Sequence, residues 1–531
     1  MLFLDVAVFS ATSLLFLLAS VALYRVYFHP LAKYPGPFFA KITDWYTVYH
    51  CLIGDHHLQL YKLHEEYGSI VRSGPNRVSI NTNTALRQIY SVNANVQKSQ
   101  IYDTYKHFFD VPMSMTMIDR RKHAFKRRIN VRALTDAAIK DMEHLMVKNI
   151  RLMCQQIQED IGNREDGWSS SIDITKLISY AMSDIMGEIV FSKNWNVLQS
   201  PENRDILEFL PHGVAGVNIT GYMPGLLKFN VYKLAARKLV NDVYRFKALA
   251  KTQSDWRIAH NHEIKRKDLF TSLMEARDPE TGLGFTEEEI VSEAGLLIIA
   301  GSDTMATSVV ATIFYLLHNH ESLGRVQEEV RRSFSEVEEI HIGAQLSSCQ
   351  ILFACITEAM RLTPPVGACL PREVLKGGMM VDGELFPEGT DISVPVYSLH
   401  HNEEYFPDSF SYKPDRWIVT SALYGVTEAE VEWAHSAYHP FGVGRSSCVG
   451  RHLAYQEMAI MLARIMWLYD VRLGLPSTIG EGDPVLGGLR KRKGEFQTWD
   501  KFVSSHQGPM VQFNPRKSEG GIRSNNPTCL Q

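Results

Sequence analysis

From Val6 to Tyr24 the chain reads VAVFSATSLLFLLASVALY, without a single charge. About 20 apolar residues suffice for a helix to cross a bilayer. The cations come afterwards, at Arg25 and Lys33, with only Asp5 upstream. That asymmetry predicts an anchor helix with the following body on the cytoplasmic side. A cleaved signal peptide is the alternative, but it would carry positive charge ahead of a shorter apolar core. Three prolines in HPLAKYPGP, His29 to Pro37, then resist helix continuation. Further on, Thr286 and Glu289 make a capping box. It starts a predicted helix of about 30 residues through EEIVSEAGLLIIAGSDTMATSVVATIFYLLHNH. A third helix follows Cys448, with Leu453, Ala454, Met458, Met461, Leu462 and Ile465 on a helical period. Residues 130–330 are mostly long helical stretches, whereas SIVRSG (69–74) and DISVPVY (391–397) read as short strands. The pattern predicts a mainly α protein with small β-sheets (α+β). It divides into an anchor (1–27), a proline-rich hinge (28–40), a single body (41–514) and a Gly/Ser/Asn-rich tail (515–531) expected to be disordered.

Composition narrows the partners. The 531 residues are 45% hydrophobic and 21% charged, with a net charge of −4. That is an ordinary globular balance, and it lacks the basic footprint of a nucleic-acid-binding protein. The seven cysteines show no CxxC or zinc-type spacing, so reduced thiols are expected in a cytosol-facing body. Cys529 is third from the end and makes no prenylation box. The sequon Asn218-Ile219-Thr220 is uninformative on that side of a membrane.

Three stretches carry chemistry. In the long helix, Gly301-Ser302-Asp303-Thr304 interrupts the densest apolar run. An interior glycine costs about 0.5–1 kcal/mol, and a buried unpaired aspartate costs more. Gly301 would let a flat group approach the backbone, and Asp303 with Thr304 would deliver protons in a dry pocket. The plain reading is a helix kink in which Thr304 bonds back to its own carbonyls. In ITEAMRLTPP, Glu358 and Arg361 lie three apart, ordinarily a surface ion pair; Arg416 in the Pro-bounded FPDSFSYKPDRW can complete a Glu-Arg-Arg cluster that clamps the chain leading to Cys448. Cys448 itself sits in HPFGVGRSSCVG, where Gly442, Gly444 and Gly450 permit unusual backbone conformations. The following helix N-terminus and the neighbours Arg445 and Arg451 are expected to lower its pKa. A thiolate there is a nucleophile or a metal ligand. The nucleophile needs a positioned histidine, and His452 is near in sequence but falls on the following helix.

In this order, AGSDT (300–304), EAMR (358–361), PDRW (414–417) and FGVGRSSCVG (441–450) resemble the motifs of the cytochrome P450 family, and the resemblance covers essentially the whole chain. It implies the P450 fold and haem b with Cys448 as the axial thiolate. It places Ala300 and Gly301 on the haem face, Phe441 shielding the sulfur, and Asp303 with Thr304 protonating bound oxygen. HAFKR puts His123 where the family usually has Trp and Arg127 at the Arg position; with Arg372 in LPREV these would hold the haem propionates. The family's arginine two residues before the cysteine is replaced by Ser446, with Arg445 one step earlier, expected still to reach a propionate. Glu358, Arg361 and Arg416 would form the structural triad. The resemblance further implies O2 as co-substrate and electrons from NADPH through NADPH-cytochrome P450 reductase, with cytochrome b5 as a further donor. The cationic stretch Arg120–Arg132 is a candidate docking face or simply a solvated helix. The wording resembles fungal endoplasmic-reticulum enzymes, single-pass and cytosol-facing, of secondary metabolism on terpenoid or polyketide skeletons. YDTYKHFFDVPMSMTM (102–117) and GVAGVNITGYMPGLLKF (213–229) are the expected pocket walls and favour a bulky hydrophobic substrate. The alternatives are a haem-thiolate isomerase or dehydratase, which commonly lacks the acid–alcohol pair, and a haem-binding protein without turnover.

Overall fold

The computed structural model describes residues 2–107, 111–162, 164–223, 237–420 and 425–516. The N-terminal apolar run is helix α1, Leu2–Leu23, continued by a wide turn Tyr24–Phe28. No residue in the most apolar window of the span Phe3–Phe28 is buried by the rest of the protein. Its end is held to the body: Arg25 Nη1 donates to Ile42 O at 2.5 Å, and Arg72 Nη1 to Arg25 O at 2.7 Å. The proline segment is packed down, burying Leu31 and Tyr34. Beside it, the short helices Phe38–Ile42 and Trp45–Ile53 expose Phe38, Phe39, Trp45, Tyr49 and Leu52.

Six further helices position the site: α2 (Arg120–Ala133), α3 (Ile174–Phe191), α4 (Arg237–Ala259), α5 (Glu287–His318), α6 (Gln350–Leu362) and α7 (Arg451–Leu468). The expected capping box opens α5: Thr286 Oγ1 accepts from Glu289 N at 3.3 Å, and Glu289 Oε2 accepts from Thr286 N at 3.1 Å. From Met305 to Leu317 every residue of α5 is buried, so this helix is the axis of the core. It packs on α3, α4, α6 and α7. A Cβ on Gly301 would lie 2.4 Å from Met186 Cε and Sδ on α3. The glycine therefore lets two core helices close, a use distinct from the expected approach of a flat group.

A five-stranded sheet flanks the helices. Its strands are β1 (Ile70–Gly74), β2 (Arg77–Ile80), β3 (Val96–Lys98), β4 (Arg372–Val374) and β5 (Asp391–Ser393), in the spatial order β1-β2-β5-β4-β3. The β4 and β3 strands are antiparallel and set Lys98 directly opposite Arg372. Only the first half of DISVPVY is strand; Pro395 adds an isolated antiparallel bridge to Cys369, and Val396–His400 forms a short helix. The tail begins later than expected, because Met510–Pro515 pairs with Tyr469–Leu473 and places Pro515 in a sheet. Residues 517–531 lie outside those described.

Candidate active site

A cavity of ≈ 340 Å³ lies between α5 on one side and the cysteine loop with the start of α7 on the other. Its α5 wall carries Ala300, Gly301, Thr304, Met305 and Ser308, and its opposite wall Phe441, Cys448, Gly450 and Ala454. The loop's path explains two of its glycines. Gly442 and Gly444 adopt φ of +62° and +67°, and a Cβ on Gly444 would come within 1.9 Å of Tyr90 O. Gly450, expected to be a third, has φ −84° and needs no such freedom. Cys448 N donates to Phe441 O at 2.8 Å, closing the loop. Arg127 buttresses it from α2, its Nη1 donating to Ser447 O at 2.6 Å and Nη2 to Ser447 Oγ at 3.0 Å.

Cys448 is exposed, and the surface it exposes is cavity wall. The expectation of a thiol lowered by Arg445 and Arg451 is corrected here. Burial of the surroundings pushes the thiol up, and this outweighs the lowering by the Gly450 N–H, Arg127 and Arg451. Arg445 is absent from that set. It lines an adjoining cleft with Arg120 and Tyr90, next to His123 and Arg372 but off the main cavity. A thiol of this kind loses its proton through metal binding itself, which releases it.

Four basic side chains share one end of the cavity: Lys98 from β3, Arg372 from β4, and His123 and Arg127 from α2. Lys98 Nζ donates to Ser114 O and Met115 O, each at 2.7 Å. Burial and Arg372 hold its pKa at about 7; burial, Lys98 and Arg127 push His123 down to about 3. Like charges directly opposite on paired strands are destabilising. The acid nearest to hand, Glu293, is occupied by Ser114 N at 2.6 Å, Asn130 Nδ2 at 3.0 Å and Lys126 Nζ at 3.5 Å. Among the described residues no carboxylate pairs with Lys98, His123, Arg127 or Arg372. The wall suits a ligand that brings its own negative charge.

Across the cavity, Thr304 Oγ1 bonds back to Ala300 O at 2.5 Å, the plain reading of this residue, while also lining the space. Asp303 lies one residue off the wall, with no cation near it among the described residues; burial alone pushes its carboxyl up to about 6. Behind the cysteine loop, the Glu358–Arg361 pair is fully buried and not on the surface. Arg361 Nε and Nη2 reach Glu358 at 2.9 and 2.8 Å, and Arg416 Nε at 3.0 Å. Trp417 Nε1 and Lys413 N complete the shell at 2.9 and 3.0 Å.

A family model, cytochrome P450, matches residues 40–481. The chain belongs to the cytochrome P450 family. It is 34% identical to cytochrome P450 monooxygenase AKT7 of Alternaria alternata, over 93% of this chain and 94% of that protein. Similarity of the same order extends to cytochrome P450 monooxygenase apf7 of Gibberella fujikuroi, 34% identical over 94% of this chain and 96% of that one. Cytochrome P450 monooxygenase poxM of Penicillium oxalicum is 33% identical over 93% and 92%. The chain is accordingly a haem-thiolate monooxygenase, taking haem, O2, electrons from a redox partner and a small-molecule substrate.

The residues present fit a haem. A thiol faces a largely apolar cavity, and four basic side chains without a paired carboxylate line one end of it, two of them permanently charged arginines and two whose protonation a ligand's carboxylates would favour, as a flat apolar group bearing carboxylates requires. A hydrolytic use of Cys448 finds no base in His452, whose Nδ1 faces Asp136 Oδ1 at 2.5 Å outside the cavity lining. The expected pocket segment 102–117 contributes Tyr102, Met113, Ser114 and Met115. Segment 213–229 contributes none among the described residues, and 224–229 lies outside them. Val243 and Phe246 of α4 and Leu269 also line the cavity. Lys98 escaped the sequence reading. Its only local signal is a three-residue strand, and its partner Arg372 is remote in the chain.

Proposed function

We propose that this P450 oxidises a bulky apolar small molecule of fungal secondary metabolism, a terpenoid or polyketide skeleton, by inserting one atom of O2. The observation that carries the reading is the cavity on which Cys448, the basic wall of Lys98, His123, Arg127 and Arg372, and Thr304 converge. Cys448 Sγ would hold the iron of haem b, and the haem would supply the activation of O2, with thiolate donation favouring O–O cleavage. Lys98, His123, Arg127 and Arg372 bind and orient its carboxylates, and Arg445 stands in reserve in the adjoining cleft. Phe441 covers the sulfur side and excludes water, and Ala300 with Gly301 forms the facing wall. Thr304 Oγ1 holds a proton at the cavity surface, and Asp303 behind it, with its pKa raised to about 6, can take up and release one near physiological pH. On the α5 wall, Leu296, Leu297 and Ile299 offer the substrate apolar contact.

NADPH supplies the electrons through NADPH-cytochrome P450 reductase, with cytochrome b5 as a further donor. The docking face is the exposed side of α2, with Arg121, Lys122 and Arg132; Lys126 and Arg128 are spent on Glu289 and Asp278. Helix α1 anchors the chain in the endoplasmic reticulum membrane in a single pass, with the body in the cytosol. Two experiments test this. The reduced, carbon-monoxide-treated protein should show the thiolate-type Soret band; an imidazole-type band overturns the assignment of Cys448. Incubation of candidate scaffolds with NADPH, reductase and isotopically labelled O2 should yield a product carrying one labelled atom; label-free isomerised product would favour the isomerase reading instead.

A further inference from the structure

Between the buried triad and the cysteine loop stands one histidine that the mechanism does not use. His400 is fully buried, and its ring is bonded at both nitrogens. Nδ1 lies 3.2 Å from Arg361 O, and Nε2 lies 3.0 Å from the backbone nitrogen of His439. The carbonyl can only accept and the amide can only donate, so the ring must carry its proton on Nδ1 and be neutral. Arg361 returns the contact, Nη1 donating to His400 O at 2.8 Å. The ring stacks on Tyr438, 5.4 Å between centroids and 20° between planes. His439 opens the turn that leads to the cysteine: its carbonyl accepts from Gly442 N at 2.9 Å, and the loop closes on Phe441 O through Cys448 N at 2.8 Å.

We propose that His400 is a positioning residue for Cys448, its neutral ring pinning the start of the cysteine loop to the Glu358–Arg361 pair. The Glu358–Arg361 pair lies on α6 and reaches the loop through this ring at one end. At the other end it reaches through Trp417, whose indole packs on Tyr438 at 4.9 Å. Without Nε2, the His439 N–H is left without an acceptor in an interior where water cannot replace it, and the turn that aims Cys448 loses its fixed origin. His401 next door gives a control. It is equally buried, stacks on Tyr397 at 4.0 Å and has Nδ1 2.9 Å from Tyr397 O, but it makes no contact with the loop.

The inference rests on the reading that Cys448 holds the iron, and the two fail differently. If the haem-loaded parent chain lacks the thiolate-type band in its reduced carbon-monoxide spectrum, that reading fails and takes the inference with it. If the parent shows the band, His400→Phe keeps a ring against Tyr438 but no acceptor, and it should lose the thiolate-type band about tenfold faster on mild warming. His400→Gln, whose amide oxygen can accept from His439 N–H, should stay close to the parent. His401→Phe should lower the unfolding temperature without speeding the spectral loss. A His400→Phe protein that keeps its band as long as His401→Phe does overturns the proposal. Should His400→Phe fail to fold, hydrogen exchange of the parent decides: the His439 amide must exchange as slowly as core amides, and rapid exchange there overturns it.

Discussion

Arg127 Nη1 and Nη2 both grip Ser447, the residue before Cys448, at 2.6 and 3.0 Å. The same side chain belongs to the basic wall, so one guanidinium ties helix α2, the cysteine loop and the expected cofactor edge together. Arg127→Lys keeps the charge but loses the planar fork. The variant should hold less haem per chain after gel filtration, and its haem-free form should unfold about 1–2 kcal/mol more easily. A haem-to-protein ratio equal to the parent's would show that the fork does not matter.

Glu358 gathers five donors: Arg361 twice, Arg416, Trp417 and the Lys413 amide. Glu358→Gln preserves the shape and removes the charge that compensates two arginines, one of them wholly buried. Breaking a buried pair from one side costs about 3–5 kcal/mol. Thermal unfolding of the haem-loaded protein should fall steeply or yield none; an unchanged midpoint would contradict the buried triad.

Asp303 links stability to pH. Burial raises its pKa from 3.8 to about 6, whereas the unfolded chain titrates near the ordinary value. Between those pH values the folded protein binds more protons, so its stability declines as pH rises through about 4 to 6. The loss is about 3 kcal/mol at most. Asp303→Asn should match the parent near pH 4 and exceed it above about pH 7 in denaturant unfolding. Equal stability at both pH values would show that the carboxyl is better solvated than its burial indicates.

Thr304 loses little structure when truncated, because its hydroxyl bonds only to Ala300 O within its own helix. Thr304→Ala should therefore leave folding within about 1 kcal/mol of the parent. Product formed per O2 consumed should fall about a hundredfold, the low end for a positioned proton donor. Oxygen uptake measured against product tests this directly; unchanged coupling removes the proton role of Thr304.

Much of this was legible from spacing alone. Charge-free length marked α1, the Thr286/Glu289 pair marked the start of α5, and the apolar period marked α7, because each depends on neighbours within a few turns. The motif residues Cys448, Glu358, Arg361 and Thr304 stand out for the same reason: glycines, prolines and charges look costly where a helix or loop should be ordinary. Of segment 213–229, expected as a cavity wall, the described residues do not line the cavity, and 224–229 lie outside those described. Apolar content shows that a stretch will be buried but not against what.

The chain by itself determined which elements form and which residues are chemically out of place, since those follow from local periodicity and from side-chain chemistry. Tertiary structure alone decided how they meet. The β3–β4 register set Lys98 against Arg372, the path of the loop turned Arg445 out of the cavity, and the pitch of α5 left Asp303 off the wall that Thr304 lines. It also decided the state of Cys448. Flanking arginines suggest a lowered pKa, but desolvation depends on everything packed around the sulfur, and here that burial outweighs the charges and pushes the thiol up.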